Sequence, residues 1–574
     1  MNDRKFRTAS PERELLSPLR TSLCRFVLPL LAFGLAVESR ADVSSGTEPL
    51  TADVCVYAAT PSGLCAAVAA KQEGCSVVIV EPSRWIGGML GAGIKPMQDC
   101  PEPRAVGGLT KTRVFTAGND PPSIRESFAR WINDEKIAVV YEHRVARIEK
   151  EGARIVRLHL EHAPPDAWGV PAPQAKPGPG KTIVAKMFID ASYEGDLMAA
   201  AGVPYSIGRE SADQFGEKPA GVGPWTNWRP IDPFRVPGDP ASGLLRWVEA
   251  DHGKPLGSGD DYTQAYNFRF YVTSDPDHRA AFSPPNDYQA EDYELVGRYV
   301  EHILRWAEGN AEKAMPKLAG IFPGWRNSGD YNYQREALVT MAPLGLSRFY
   351  QDADWPTRSK IWRTHIDYLR GVRQFLSTDP RVPEPFRRKT ASLWLDRRMH
   401  PDTHGWPHQL YVRIARRMDG PYTLTHADVL NRTQVDDSVG LALYGVDTYP
   451  VRRVAAKDPA TGALGIATEG NMFLGGPRGT GQPYPVPYRA ITPKAEQCTN
   501  LLVPVCFSAS YIAYASARME PVFCILGETS GVAAAQAIAG QSAVQSVNVA
   551  TLQARLLKRG QVLAWPPQTQ READ

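Results

Sequence analysis

Glu81 closes the apolar run Val77-Val78-Ile79-Val80 and lies 18 positions after Gly63. A carboxylate at a strand end, that far beyond a tight turn, can accept hydrogen bonds from ribose hydroxyls. The turn spans Ala58 to Ser62 and follows a mostly apolar run, Asp53 to Tyr57, with the character of a buried parallel strand. A helix is expected next, with Leu64, Ala67 and Val68 on one face. Thr60 suits its N-cap and Pro61 its first position. Strand, turn, helix and acid-terminated strand make a dinucleotide-binding unit, in which backbone N–H groups at the helix N-terminus meet a pyrophosphate. The three glycine positions of that motif are Ala58, Thr60 and Gly63, so only the one that lets helix and strand pack closely keeps glycine. Taken alone, the unit reads equally as an α/β unit that binds nothing.

Three flanking features narrow the choice. Ile86-Gly87-Gly88-Met89 follows Glu81, with Gly91 and Gly93 beyond, and a glycine pair lets backbone approach a bulky planar ligand. Phe188-Ile189-Asp190-Ala191-Ser192 is an apolar strand ending in an acid and small residues. Between Asn500 and Ala539 a strand, Leu501 to Phe507, precedes Gly527-Glu528-Thr529-Ser530-Gly531 and a helix. Read as a turn, that segment sets a second helix N-terminus against negative charge developing on a flavin ring. Around these features, residues 139–160 alternate as a hairpin, 162–180 read as a surface excursion and 182–191 as a strand. Thr357 to Phe375 is patterned as a helix, and no internal repeat is found.

The assembled stretches resemble the family of FAD-dependent oxidoreductases distantly similar to the flavin subunit of heterodisulfide reductase, whose bacterial members often carry a xanthan lyase label. They are DVCVYAATPSGLCAAVAAKQEGCSVVIVEPSRWIGGM, FIDASYEGDLMAAAGVPYSIGRES, GWPHQLYVRIARRM, PYRAITPKAEQCTNLLVPVCFSASYIAYASARMEPVF and GETSGVAAAQA, running from residue 53 to about 540. The resemblance implies a glutathione-reductase-like FAD-binding α/β fold with an inserted mixed substrate domain. It implies FAD contacts at Ala59, Thr60, Pro61, Ser62, Gly63, Glu81, Gly87, Gly88 and Met89, at the strand near Val145, at Asp190 and Ala191, and at Gly527, Thr529 and Ser530. Ala58 stands where the pattern leads one to expect glycine, and Tyr449 and Tyr511 where it leads one to expect histidine. Iron–sulfur clusters are not supported, because none of the eight cysteines forms a Cys-x-x-Cys pair.

Candidates for catalysis lie outside the nucleotide unit. Tyr511 falls between the last strand and the expected flavin turn, where its hydroxyl can donate to substrate or its ring simply pack. Arg518 and Glu520 read as a buried pair, either structural or functional. His408, Tyr411 and Arg413 offer polar tips to a hydroxylated or carboxylated ligand, and Arg413, Arg416 and Arg417 are expected on one helical stretch. The spacing of His400, His404 and His408 suits a metal site on a helix, but Pro401, Gly405 and Pro407 oppose a helix, so no metal is expected. The reaction expected is hydride transfer between flavin and a small hydroxylated or sugar-like molecule; a non-redox polysaccharide lyase or a binding protein on the same fold is the alternative. Nothing in the sequence names the electron acceptor.

The whole chain fits that assignment. With 574 residues, 65 Lys plus Arg against 62 Asp plus Glu, and no charge run, nucleic acid and anionic membrane are not expected partners. Residues 1–41 read as an export signal: Arg20 and Arg25 precede the twelve-residue apolar run Phe26 to Val37, and Ser39-Arg40-Ala41 follows as a cleavage site. The mature protein is therefore expected in the periplasm or medium, with no later stretch long and apolar enough to span a membrane. A linker at 42–51, an FAD domain in two parts (52–205 and 431–545), a substrate domain at 206–430 and a tail at 546–574 complete the expected organisation.

Overall fold

Strand β1 (Leu50–Tyr57) is the apolar run expected to be buried, and its last four residues are sealed from solvent. Helix α1 (Pro61–Gln72) follows with Thr60 as N-cap, then strand β2 (Val77–Glu81). In this computed structural model, residues 48–322, 337–474 and 482–566 are described. The expected export signal lies outside the described residues.

Strand β3 (Ala138–Tyr141) lies parallel to β2, and β1 lies between β2 and the long strand β6 (Lys181–Asp190). The outer edge of β6 is shared. Its first half pairs with β5 (Arg154–His162), itself paired antiparallel with β4 (His143–Glu151); its last residues pair in parallel with β7 (Leu501–Leu502). The sheet order is thus β3-β2-β1-β6-β5-β4, with β7 beside the end of β6. The hairpin expected over 139–160 is divided: residues 138–141 join the parallel ladder, the chain turns at Glu142 with φ of 59°, and the antiparallel pair starts at His143. The strand expected over 501–507 ends at Leu502, two residues before Pro504, which has no N–H to give a ladder.

The segment Gly527 to Gly531 is not a turn. It lies inside the continuous helix Glu520–Ala539. These glycines serve helix contact instead: a Cβ on Gly527 would sit 2.2 Å from the Ser62 carbonyl oxygen, and one on Gly531 2.2 Å from that of Ala66. Buried residues run without a break from residue 61 to 70 in α1 and from 520 to 535 in the longer helix, as expected of helices enclosed on every side. Among the described residues, Glu520–Ala539 is long and apolar enough to cross a membrane, contrary to expectation, but 83% of that window is buried. It is a core helix. Glu528 within it accepts from the Leu109 N–H at 2.8 Å, Arg559 at 2.8 Å and Gln561 at 2.7 Å, which satisfies its buried carboxylate.

The boundary expected at residue 430 is crossed. Strands Arg452–Lys457 and Leu464–Glu469 pair with Glu249–Ala250 and Trp225–Arg229 in one four-stranded sheet. The helix expected from Thr357 is present as Trp355–Thr378, capped by Asp354, whose carboxylate accepts from the Thr357 N–H at 2.9 Å. The Arg413-to-Arg417 stretch is not helical: Arg417–Met418 pairs as a short strand with Tyr205–Ser206. The arginines there are buried, with Arg416 meeting Asp196 and Asp352 and Arg417 meeting Glu210.

Candidate active site

The turn before α1 keeps the geometry of a glycine-rich loop without its glycines. Ala58 adopts φ of 76°, the left-handed region in which glycine is unstrained. The Ala59 N–H donates to Glu81 Oε2 at 2.7 Å, and Thr60 Oγ1 accepts from Gly63 N–H at 3.1 Å while donating to the Ala191 carbonyl at 2.8 Å. Ser62 Oγ donates to the Phe523 carbonyl at 2.7 Å. A Cβ on Gly63 would lie 2.0 Å from the Ala58 oxygen, so the third position admits no side chain. Gly87 donates its N–H to the Ala59 carbonyl at 2.8 Å, tying the glycine pair to the turn.

A cavity of about 80 Å³, partly open to solvent, lies at the ends of β1, β2 and β6. Ala58, Thr60, Glu81 and Gly88 line it at the turn, and Trp85, Tyr193, Trp355 and His408 supply aromatic walls. A second, far smaller cavity of about 10 Å³, room for about one water, is lined by Met89, Gln98, Asp99, Tyr411, Arg518 and Glu520, among others. The segment Gly88-Met89 parts the two, with Gly88 lining the first and Met89 the second. Tyr193 braces that wall: its hydroxyl accepts from the Met89 N–H at 3.0 Å and donates to Glu520 Oε1 at 2.7 Å. Glu520 Oε2 is buried without a hydrogen-bond partner. Burial pushes the Glu520 carboxyl up to about 7, against the lowering effect of the Tyr193 bond.

Several expected site residues occupy other positions. Asp190 is fully buried, and its carboxylate holds Ser192 (N–H at 3.0 Å, Oγ at 2.6 Å) and the Met198 N–H at 2.8 Å. It fixes the loop after β6; Ser192, Tyr193 and Glu194 of that loop line the first cavity. The Val145 N–H faces the Tyr57 hydroxyl at 3.4 Å, while its neighbour Arg144 lines the cavity and stacks on Trp355. Gly527, Thr529 and Ser530 lie in the helix interior, where Thr529 and Ser530 hydroxyls bond the carbonyls of Val439 and Leu526.

Of the four catalytic candidates, Arg518 lines the second cavity. It donates to the Tyr411 hydroxyl at 3.2 Å, Gln264 Oε1 at 3.3 Å and the Asp447 carbonyl at 3.0 Å. The Arg518–Glu520 pair does not form, since Glu520 turns to Tyr193. His408 lines the first cavity, stacked on Trp85 with centroids 5.0 Å apart; burial holds it well below the usual histidine range, so it is a neutral wall residue. Arg413 stacks on Tyr411 and Tyr449, at 4.4 Å and 4.6 Å from their centroids. Tyr511 is a correction: it starts the helix Tyr511–Ala517, is 1% exposed, lines neither cavity and packs under Arg417. Burial raises its hydroxyl above the usual tyrosine range, which removes it further from a proton-accepting role. His400 and His408 pack edge to face with centroids 5.7 Å apart, His400 also bonding Arg125, while His404 packs on Trp168; among the described residues no group of three or more His, Cys, Asp or Glu is placed to hold a metal. Sequence reading missed Arg269, whose guanidinium lies over Tyr411 at 4.9 Å, and Gln98 and Asp99; the one signal was polar residues inside an otherwise apolar glycine-rich loop.

The parallel strands, the capped helix at their carboxyl ends and the acid-lined cavity beside it define a Rossmann-like, dinucleotide-binding oxidoreductase fold. A family model for FAD dependent oxidoreductases matches residues 53–556, and the chain belongs to that family. The match says nothing of heterodisulfide reductase or of xanthan lyase. No curated protein matches. Among solved structures, the chain is similar over part of its length to thioredoxin reductase from T. acidophilum (18% identity, TM-score 0.16, 24% of this chain and 34% of that one). It is likewise similar to a geranylgeranyl bacteriochlorophyll reductase-like protein from Thermoplasma acidophilum (18%, 0.19, 27% and 43%). A third is L-proline dehydrogenase from P. horikoshii (16%, 0.17, 29% and 26%). The chain thus covers well under half the length of each.

Proposed function

We propose that this chain is an exported enzyme that oxidises a small hydroxylated molecule, with FAD in the first cavity and its reacting end beside the second. The residues fit that cofactor: the α1 N-terminus and Thr60 meet a pyrophosphate, Glu81 a ribose, and Gly88-Met89 and Tyr193 form the wall along which the molecule passes. FAD, when bound, supplies a hydride acceptor. The observation carrying the proposal is Glu520, a buried carboxylate with one unpartnered oxygen on the second cavity, joined through Tyr193 to the nucleotide-binding wall. Glu520 takes the hydroxyl proton as the substrate carbon is oxidised; sequence reading had placed Tyr511 near the reacting carbon, as a hydrogen-bond donor. Arg518 and Tyr411 orient the substrate.

Purified protein should be yellow, and an anaerobic screen that follows flavin bleaching should find hydroxylated substrates; a colourless protein that takes up no FAD overturns the proposal. Glu81→Gln should weaken FAD retention roughly 10- to 100-fold, the effect of losing a charge-assisted hydrogen bond worth about 1.5–3 kcal/mol. Equal flavin content after dialysis of variant and wild type would detach Glu81 from the cofactor. Export is supported by the apolar run Phe26 to Val37. N-terminal sequencing of the native protein should begin at or near Asp42, and an intact N-terminus in the cytosol would overturn it.

A further inference from the structure

The first cavity, at about 80 Å³, holds no more than about eight waters, far fewer than the heavy atoms of a dinucleotide. A wall must therefore give way for FAD to enter. Most of the wall is firmly held. Tyr57 and Glu81 come from strand ends, and Trp355 and Trp362 from the helix Trp355–Thr378. The loop after β6 is fixed by buried Asp190 and by Arg358 and Arg416, which meet Asp196 at 2.8 Å and 2.9 Å. Residues 163–171 differ. Ala163, Pro165, Gly169 and Pro171 line the cavity, yet they belong to no helix or strand. Pro164, Pro165, Pro171 and Pro173 have no N–H to give, so few backbone bonds tie the segment down. Its ends are anchored: the Ala163 N–H donates to the Glu142 carbonyl at 2.9 Å, and buried Arg144 donates to the Ala172 carbonyl at 2.5 Å. Between them the segment folds on itself. The Asp166 carboxylate accepts from the N–H groups of Trp168 at 2.7 Å and Val170 at 3.0 Å, and the Asp166 N–H donates to the Val170 carbonyl at 3.0 Å. What holds this folded tip down lies at the surface. Asp166 pairs with Arg363, their side chains 45% and 34% exposed, and Arg84 donates to the Pro165 carbonyl at 2.6 Å. Half-buried Trp168 lies under Arg370 and Arg363, at 4.9 Å and 5.7 Å from its centroid. Gly169 rests on the opposite wall, where a Cβ would lie 3.1 Å from His408 Cα. Exposed ion pairs are worth little, so these are the contacts that yield first.

We propose that residues 163–171 are a strap that opens to admit FAD to the first cavity and closes over it, with the Asp166–Arg363 ion pair as its latch. The strap swings on its two anchored ends and its folded tip moves as one piece. The inference rests on the placing of FAD in the first cavity proposed above.

The test is kinetic. Release is followed by chasing the holoenzyme with labelled FAD, and uptake by mixing flavin-stripped protein with FAD. Arg363→Met should raise both rates about 2- to 5-fold, the reach of one exposed ion pair, and leave their ratio, the Kd, within about twofold. Asp166→Asn keeps an oxygen for the turn and gives up the charge; it should act alike, and the two changes together should do no more than either alone. High salt should speed both rates in wild type and leave Arg363→Met unmoved. Rates that neither variant changes overturn the strap. So does faster release without faster uptake, which is the mark of a loosened binding site and not of an opened gate. A protein that takes up no FAD overturns the function proposed above, whereas one that takes it up at rates indifferent to the latch overturns this inference alone.

Discussion

Gly531→Ala is expected to lower the unfolding temperature by several degrees and to reduce the flavin content of what remains folded. The added Cβ would lie 2.2 Å from the Ala66 carbonyl oxygen and 2.8 Å from Ala69 Cβ, and no real Cβ approaches backbone so closely. The obstruction is backbone inside a helix, so no side chain can swing away; α1 itself must move. Overpacking of this kind costs about 1–3 kcal/mol. Gly527→Ala repeats the clash against Ser62, whose hydroxyl is bonded to the Phe523 carbonyl. Ser62 belongs to the first turn of α1, two residues beyond its Thr60 cap, so displacing it displaces the N–H groups offered to the nucleotide. The double variant should fold poorly. Gly540→Ala is the control: it sits at the same helix's C-cap, at negative φ, with its nearest neighbour 3.4 Å away, and should behave as wild type. Thermal unfolding together with flavin absorbance per protein reads both effects. An unchanged melting point for Gly531→Ala would mean that the two helices do not meet this closely.

The same glycines mark where sequence reading succeeded and where it failed. Gly63 was legible because one physical demand, helix against strand, acts within a single local unit with Thr60 and Pro61 marking its start. Gly527 and Gly531 carry a demand of the same kind, but its other half lies more than 450 residues earlier, at Ser62 and Ala66. Locally, Gly-Glu-Thr-Ser-Gly has the composition of a turn, and only tertiary contact makes it a helix interior. Asp190 misled for another reason: an acid at a strand end serves equally to bind a ligand or to hold the next loop, and nothing local separates the two. The arginines around Tyr411 come from three distant segments, so sequence spacing could not assemble them. Tyr511 was chosen for its place between two elements; its ring turned into the core, while Glu520, noted only as a partner for Arg518, reached the cavity.

Glu520→Gln is expected to have the largest effect on activity and to separate chemistry from burial. As the proton acceptor, Glu520 contributes within the typical 10²–10⁴-fold range of general acid–base catalysis, so anaerobic flavin reduction by substrate should slow by that factor. In wild type the rate should climb with pH through about 7, because the carboxylate must be ionised to take the proton. Stability should move the opposite way. The folded-state value is raised from 4.5 to about 7, so between those limits the native protein binds a proton that the unfolded chain has released. This stabilising contribution is complete below about 4.5 and is lost as pH rises through 7, a change on the order of 3 kcal/mol. Asp190, raised to about 6, and Glu194, raised to about 7, slope in the same direction, so the difference between variant and wild type is the quantity to measure. Gln keeps an oxygen to accept from Tyr193 and does not titrate. Denaturant unfolding at pH 5 and pH 8 should therefore show the variant gaining on wild type as pH rises. A flattened stability profile with an undiminished reduction rate would leave Glu520 a buried acid with no part in the chemistry. A slowed rate that keeps the wild-type pH profile would place the proton acceptor elsewhere on the cavity wall.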